Sequence, residues 1–308
     1  MYKQSKKLEK INGQLGALND ERFSGVVYSL VAIIPTLFIL IFLILAATAG
    51  KLQEGYETED WYRYASFLIP QLAFAFIFAL SCKSKKNNIK ETFGKPKLKY
   101  FILAIILQIG LMSLSELNTY FLKLLGQIGY EDDGMALPSM DGFGFVGVLF
   151  VIAVFPAIFE ELIFRGLLLK GLKKFGELWA VLICGGLFAL YHQNPAQTIY
   201  QFACGAAFAL VAIRAGSVFP TIVSHFINNT FILCAIKFAW DLQSIYIPML
   251  ITCGFCLLIS VGYLLFFDRC DQSVEGKAQA DMKGFFIAAA VGLFMCGFTW
   301  IGVLFKGM

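Results

Sequence analysis

The chain has 308 residues, of which 58% are hydrophobic and only 15% charged, and its mean hydropathy is +0.72. A soluble pair of domains has no need of apolar stretches of 18 residues or more, so the composition excludes a disordered chain, a disulfide scaffold and a nucleic-acid binder. The net charge of +4 is small, and the 25 Lys and Arg fall between the apolar runs, where they are topology signals and not a basic face. The expected class is all-α: a polytopic membrane bundle of eight or nine helices.

The first 25 residues are polar and basic and precede the first apolar run, 26–48, which has no cleavage site after it and is expected to remain as an anchor. Glu54, Glu57, Glu59 and Asp60 follow, then Trp61 and Tyr62 as interfacial anchors of the run 64–81. Seven Lys between 83 and 99 are expected among anionic lipid headgroups. The run 100–122 leads to a second acidic loop with Glu131, Asp132, Asp133 and Asp141. Six more runs follow: 143–164, 178–192, 198–213, 218–238, 244–267 and 284–305, with Trp179 an anchor of the second. The segments on the N-terminal side of the bundle hold 20 Lys and Arg against 5 on the other, which places the N-terminus in the cytoplasm and the C-terminus outside. There is no internal repeat and no long linker, so 1–308 reads as one bundle. Cys184, Cys204, Cys234, Cys253, Cys256 and Cys296 lie in apolar runs and read as packing; Cys253 and Cys256 lack a second pair to complete a metal site.

Charged and imidazole groups in hydrocarbon are costly, so each one inside an apolar run calls for a partner or a purpose. The run 143–164 ends in Phe159-Glu160-Glu161-Leu162-Ile163-Phe164-Arg165. Glu161 and Arg165 are four apart on one helix face and can pair, whereas Glu160 lies about 100° round the helix and cannot share that cation. The only two histidines, His192 and His225, both fall in apolar runs, and Asn229 shares a face with His225. Counted from Lys173, Glu177 and Arg214, Glu160, His192 and His225 lie 13, 15 and 11 residues deep, about 20, 22 and 16 Å at helical rise. One level can hold all three, opening toward the cytoplasm. That requires the fourth run to continue past Arg165, with Gly166 and Gly171 as candidate breaks and Lys170 snorkelling.

Glu160-Glu161-x-x-x-Arg165, Phe188-x-x-x-His192 and His225-x-x-x-Asn229, in this order on three separate runs, resemble the three signatures of the CPBP (Abi) intramembrane proteases. That family includes the type II CAAX prenyl endopeptidases and the bacteriocin-processing and immunity proteins. The resemblance spans Glu160 to Asn229 and implies that Glu160 is the general base, that His192 holds and polarises the attacking water, and that His225 and Asn229 stabilise the oxyanion. Glu161 and Arg165 are implied as support. Peptide hydrolysis needs a base for water and donors aimed at the developing charge, so the residue types fit.

The metal question stays open at this point: a zinc ion, if bound, would be held by Glu160, His192 and His225 with an open fourth position. No HExxH, GxGD or GxSG motif points to another protease class. A transporter, or a noncatalytic immunity or scaffold protein, would place the same groups at mid-membrane. The expected partners are a peptide or protein substrate, lipidated or not, and the lipid bilayer. The composition favours a bacterial plasma membrane, and with it processing or immunity roles over CAAX trimming.

Overall fold

A computed structural model describes residues 18–84, 87–132, 134, 136–268 and 280–306, and for Ser115 the backbone alone. Most of the N-terminal basic segment, Lys85, Lys86, Asp133, Arg269, Cys270 and Lys277 lie outside the described residues. The described chain is helical, without strands. Its helices are α1 (Asp20–Thr48), α2 (Asp60–Lys83), a short α3 (Ile89–Phe93), α4 (Leu98–Gly126), α5 (Gly144–Phe175), α6 (Glu177–Tyr191), α7 (Thr198–Ala215), α8 (Phe219–Lys237), α9 (Tyr246–Phe267) and α10 (Met282–Leu304).

Eight helices are long and apolar enough to cross a membrane, and the protein is an integral membrane protein. In α6 only 15 residues are helical. The expected runs match these helices to within about six residues, except that the fourth, 143–164, continues to Phe175, and α3 is added in the Lys-rich stretch, where the Asn88 side chain caps it by accepting from Lys90 N at 3.0 Å.

The apolar helices alternate in direction and produce two ends. A basic end collects the starts of α1, α4, α6, α8 and α10, and the pairs Arg22–Asp281 at 2.7 Å, Lys99–Asp268 at 2.6 Å and Arg214–Glu177 at 2.5 Å bind it across the sequence. The opposite, acidic end is joined by hydrogen bonds: Ser139 N to Asp60 Oδ1 at 2.8 Å, Arg63 Nη1 to the Leu137 carbonyl at 3.0 Å, Tyr130 OH to Asn194 Oδ1 at 3.2 Å and Trp300 Nε1 to Thr198 Oγ1 at 2.9 Å.

The hub is α5, the most buried of the eight, with 56% of its apolar window inside the protein. Its Ile163, Phe164, Leu167, Leu168, Leu169 and Leu172 pack against α1, α2, α6, α7 and α10 in one apolar cluster. Neither Gly166 nor Gly171 breaks it. Gly171 serves contact instead: a Cβ there would fall 2.3 Å from the Asp20 carbonyl oxygen, and Ser24 Oγ accepts from Gly171 N at 3.1 Å. Without water-driven association, helices in lipid gain attraction by close approach, which small residues permit. Gly25 and Gly292 do the same for α1 against α10, where Cβ atoms would lie 2.4 Å from the Phe285 oxygen and 2.6 Å from the Tyr28 oxygen.

Two π-helical stretches, Leu149–Val154 and Leu162–Leu168, flank the central turns of α5. Pro156 follows the first and has no N–H for the Ile152 carbonyl four residues back. Asn229 Nδ2 on α8 donates to that carbonyl at 2.9 Å. An amide from a neighbouring helix thus takes up an acceptor that the proline leaves, as membrane helices require.

Candidate active site

Glu160 and Glu161 part company as their 100° offset dictates. Glu161 is fully buried and accepts from Arg165 Nη1 at 2.8 Å and from His225 Nδ1 at 3.1 Å, both at Oε1. The Arg165 guanidinium lies 4.4 Å from the Phe188 ring centre and 5.5 Å from that of Phe208, and its Nη2 donates to the Gly205 carbonyl at 3.3 Å. That reach depends on α6 and α7 touching at Gly185 and Gly205, where a Cβ on Gly205 would sit 2.9 Å from the Gly185 Cα. Glu160 faces the other way, into a cavity of about 850 Å³. Among the described residues it receives one hydrogen bond, from Gln71 Nε2 on α2 at 3.3 Å.

His192 caps the C-terminus of α6. Its own N–H turns back to the Ala189 carbonyl at 3.2 Å, which leaves the Phe188 carbonyl to the imidazole Nδ1 at 2.8 Å. A carbonyl only accepts, so this bond puts the proton on Nδ1 and leaves Nε2 with its lone pair. Gln193 then takes a left-handed φ of 51° that stops the helix, and Asn194 Oδ1 accepts from Ala196 N at 2.8 Å to start the return. Fifteen residues reach about 22 Å, short of the roughly 30 Å of hydrocarbon, so this turn sits below the acidic-end surface. Non-helical backbone at that depth is tolerated where it lines a protein cavity, and Gln193, Ala196 and Gln197 line this one.

From α8, His225 and Asn229 reach the same wall, one helical turn apart. Asn228 beside them joins three elements: its Oδ1 accepts from Gln108 Nε2 at 2.7 Å and from Tyr200 OH at 3.2 Å, and its Nδ2 donates to Asn229 Oδ1 at 3.1 Å. Glu160, His192, His225 and Asn229 therefore share one cavity, and Glu161 and Arg165 stand behind its wall. Gln71, Gln108, Tyr200 and Asn228 were not singled out from the sequence. The signal was present, since Gln71 and Gln108 are uncharged amides in the middle of apolar runs.

Phe188, Phe208, Cys204 and Gln108 are buried lining residues, whereas Thr36, Ser66 and Thr119 are exposed ones and lie in the acidic-end halves of α1, α2 and α4. Depths counted from the basic end agree with a shared level. They did not register that α6 stops there, so that His192 lies under a recessed turn.

No three His, Cys, Asp or Glu side chains among the described residues are grouped so as to hold a metal ion. Glu160, His192 and His225 share one wall, and each imidazole has its Nδ1 against a protein oxygen, the Phe188 carbonyl and Glu161 Oε1 respectively.

Residues 142–231 match the family described as Type II CAAX prenyl endopeptidase Rce1-like. The likeness is to a CAAX-type peptidase and covers that segment alone, from the start of α5 into α8, where the motif resemblance also lies. The spanning helices give the bilayer setting. No curated protein and no solved structure matches the chain.

Proposed function

We propose that the protein is an intramembrane endopeptidase in which Glu160 activates a water molecule held in the cavity. Glu160 takes the proton, the water oxygen bonds to the substrate carbonyl carbon, and the peptide C–N bond then breaks as the leaving amine receives a proton. His192, with Nε2 available, accepts a hydrogen bond from the same water and fixes its direction. His225, when doubly protonated, has Glu161 as its counter-ion and donates from Nε2 to the tetrahedral oxyanion. The second Nδ2 hydrogen of Asn229 completes that donor set. The reading rests on one observation above all: Glu160, His192, His225 and Asn229 line a single buried cavity.

In this reading Glu160 activates the water without a resident metal, which is supported by the lack of a close group of three His, Cys, Asp or Glu side chains among the described residues. We place the N-terminus in the cytoplasm of a bacterial cell, as the loop charges indicate. The exposed lining residues of the cavity then lie in the outer half of the bundle, which suits processing of exported or membrane-inserted chains better than trimming of cytoplasmic prenylated tails.

The test is cleavage of a fluorogenic apolar peptide by purified protein in detergent, with and without a chelator, alongside metal quantification. Turnover that survives chelation and is lost in Glu160→Gln supports the reading. Absence of turnover by the wild type, or a stoichiometric metal whose removal abolishes it, overturns the reading or its metal-independent form respectively.

A further inference from the structure

Asn229 stands at the end of a chain of three carboxamides that begins on another helix. From α4, Gln108 Nε2 donates to Tyr200 OH at 2.9 Å and to Asn228 Oδ1 at 2.7 Å, and Tyr200 OH donates to the same oxygen at 3.2 Å. Asn228 Nδ2 then donates to Asn229 Oδ1 at 3.1 Å, and Asn229 Nδ2 to the Ile152 carbonyl at 2.9 Å. A carboxamide turned end for end exchanges donor for acceptor at little steric cost. Here the last link fixes the sense of every other. A carbonyl only accepts, so Ile152 must face Nδ2 of Asn229; Oδ1 of Asn229 then needs the N–H of Asn228, and Oδ1 of Asn228 needs donors from Gln108 and Tyr200. One reversed amide would set oxygen against oxygen at the next contact. Asn229 therefore keeps one Nδ2 hydrogen on Ile152 and the other for the cavity that it lines. Gln108 is only 4% exposed, and its Oε1 has no hydrogen-bond partner among the described residues. A buried acceptor without a partner is destabilising, so stability alone does not favour a glutamine at this position.

We propose that Gln108, acting with Tyr200 through Asn228, is a positioning residue: it holds the Asn229 amide in the one orientation that aims an N–H at the developing oxyanion. Gln108 touches neither the attacking water nor the scissile carbonyl, and it lies on α4, outside residues 142–231. The role rests on the peptidase reading and adds to it a part of the chain that the family match does not cover.

The test is cleavage of the fluorogenic peptide by full-length protein in detergent, with kcat and KM separated and melting temperatures measured on the same samples. Asn229→Ala is expected to lower kcat about 10²-fold, as loss of one oxyanion donor does. Gln108→Leu should lower kcat about tenfold with KM within about twofold of wild type, because only the transition state uses the aimed N–H. Asn228→Asp keeps the shape but cannot donate to Asn229, and should cost roughly 30-fold in kcat. Tyr200→Phe, which leaves Gln108 on Asn228, should cost only about twofold. In an Asn229→Ala background, Gln108→Leu should have no further effect on kcat. Losses that multiply in that double variant, a change in KM in place of kcat, or a kcat that tracks the melting temperature across the variants overturns the positioning role and leaves the peptidase reading intact. Absence of turnover by the wild type overturns both.

Discussion

The two ends of this bundle are held by different physics. At the basic end, Arg22–Asp281, Lys99–Asp268 and Arg214–Glu177 pull three pairs of helix termini together over a floor of buried aromatic side chains. At the acidic end the ties are single hydrogen bonds with at most one charged partner, Arg63 or Asp60, and the ion pair Lys237–Asp141 spans 3.4 Å with its carboxylate exposed. Space for a site comes from one helix stopping short. Because α6 ends at Tyr191, its turn drops into the membrane and His192 arrives at the level of Glu160 and His225. Chemistry is thereby placed in the looser half and its support in the tighter half.

The largest expected effect strikes the open half. Glu160→Gln should lower kcat/KM by about 10³-fold, roughly 4 kcal/mol of barrier, while leaving the melting temperature in detergent nearly unchanged. An equal loss of stability would mean that Glu160 is a structural group like its neighbour. Arg165→Ala attacks the support: it leaves Glu161 buried without its cation and should cost about 3 kcal/mol of stability, read as a lowered melting temperature, with activity lost as a consequence. A melting temperature within a degree of wild type would contradict the division between the two carboxylates. Gln71→Leu removes the hydrogen bond on Glu160 from a helix outside residues 142–231 and should reduce kcat about tenfold with a shifted pH profile. An unmoved profile would demote Gln71 to packing.

The smallest effect belongs to the basic end. The Arg22 guanidinium, then the Gly284 N–H and Asn19, hold the Asp281 carboxyl below the usual carboxylate range. A depressed acid contributes stability above its unfolded pKa and loses it as pH falls through the folded one, so the clasp between α1 and α10 should weaken only on strong acidification. Melting curves of Asp281→Asn against wild type should differ at neutral pH and converge toward the acid end; a gap that widens on acidification would reverse the assignment.

Much of this fold is legible in composition because lipid imposes length and apolarity on each crossing, and the charges between them set direction. The pairing of Glu161 with Arg165 follows from helical spacing alone. What escaped has physical reasons. The π-helical stretches of α5 have no residue signature, and the five residues of α3 are too few to show a period. Gln71, Gln108 and Asn228 are uncharged, so a search for costly groups in hydrocarbon passes them by, although together they carry much of the hydrogen bonding on the cavity wall. The level of the cavity depends on where α6 ends relative to its neighbours, which no single run reveals.

The central claim is that Glu160 and His192, from helices joined only through the fold, act on one water as one unit. A double-mutant cycle on cleavage measures this directly, comparing Glu160→Gln, His192→Ala and the pair by kcat/KM. The account predicts that the pair is no worse than the more damaging single change. Losses that multiply would show two independent contributions and would contradict it.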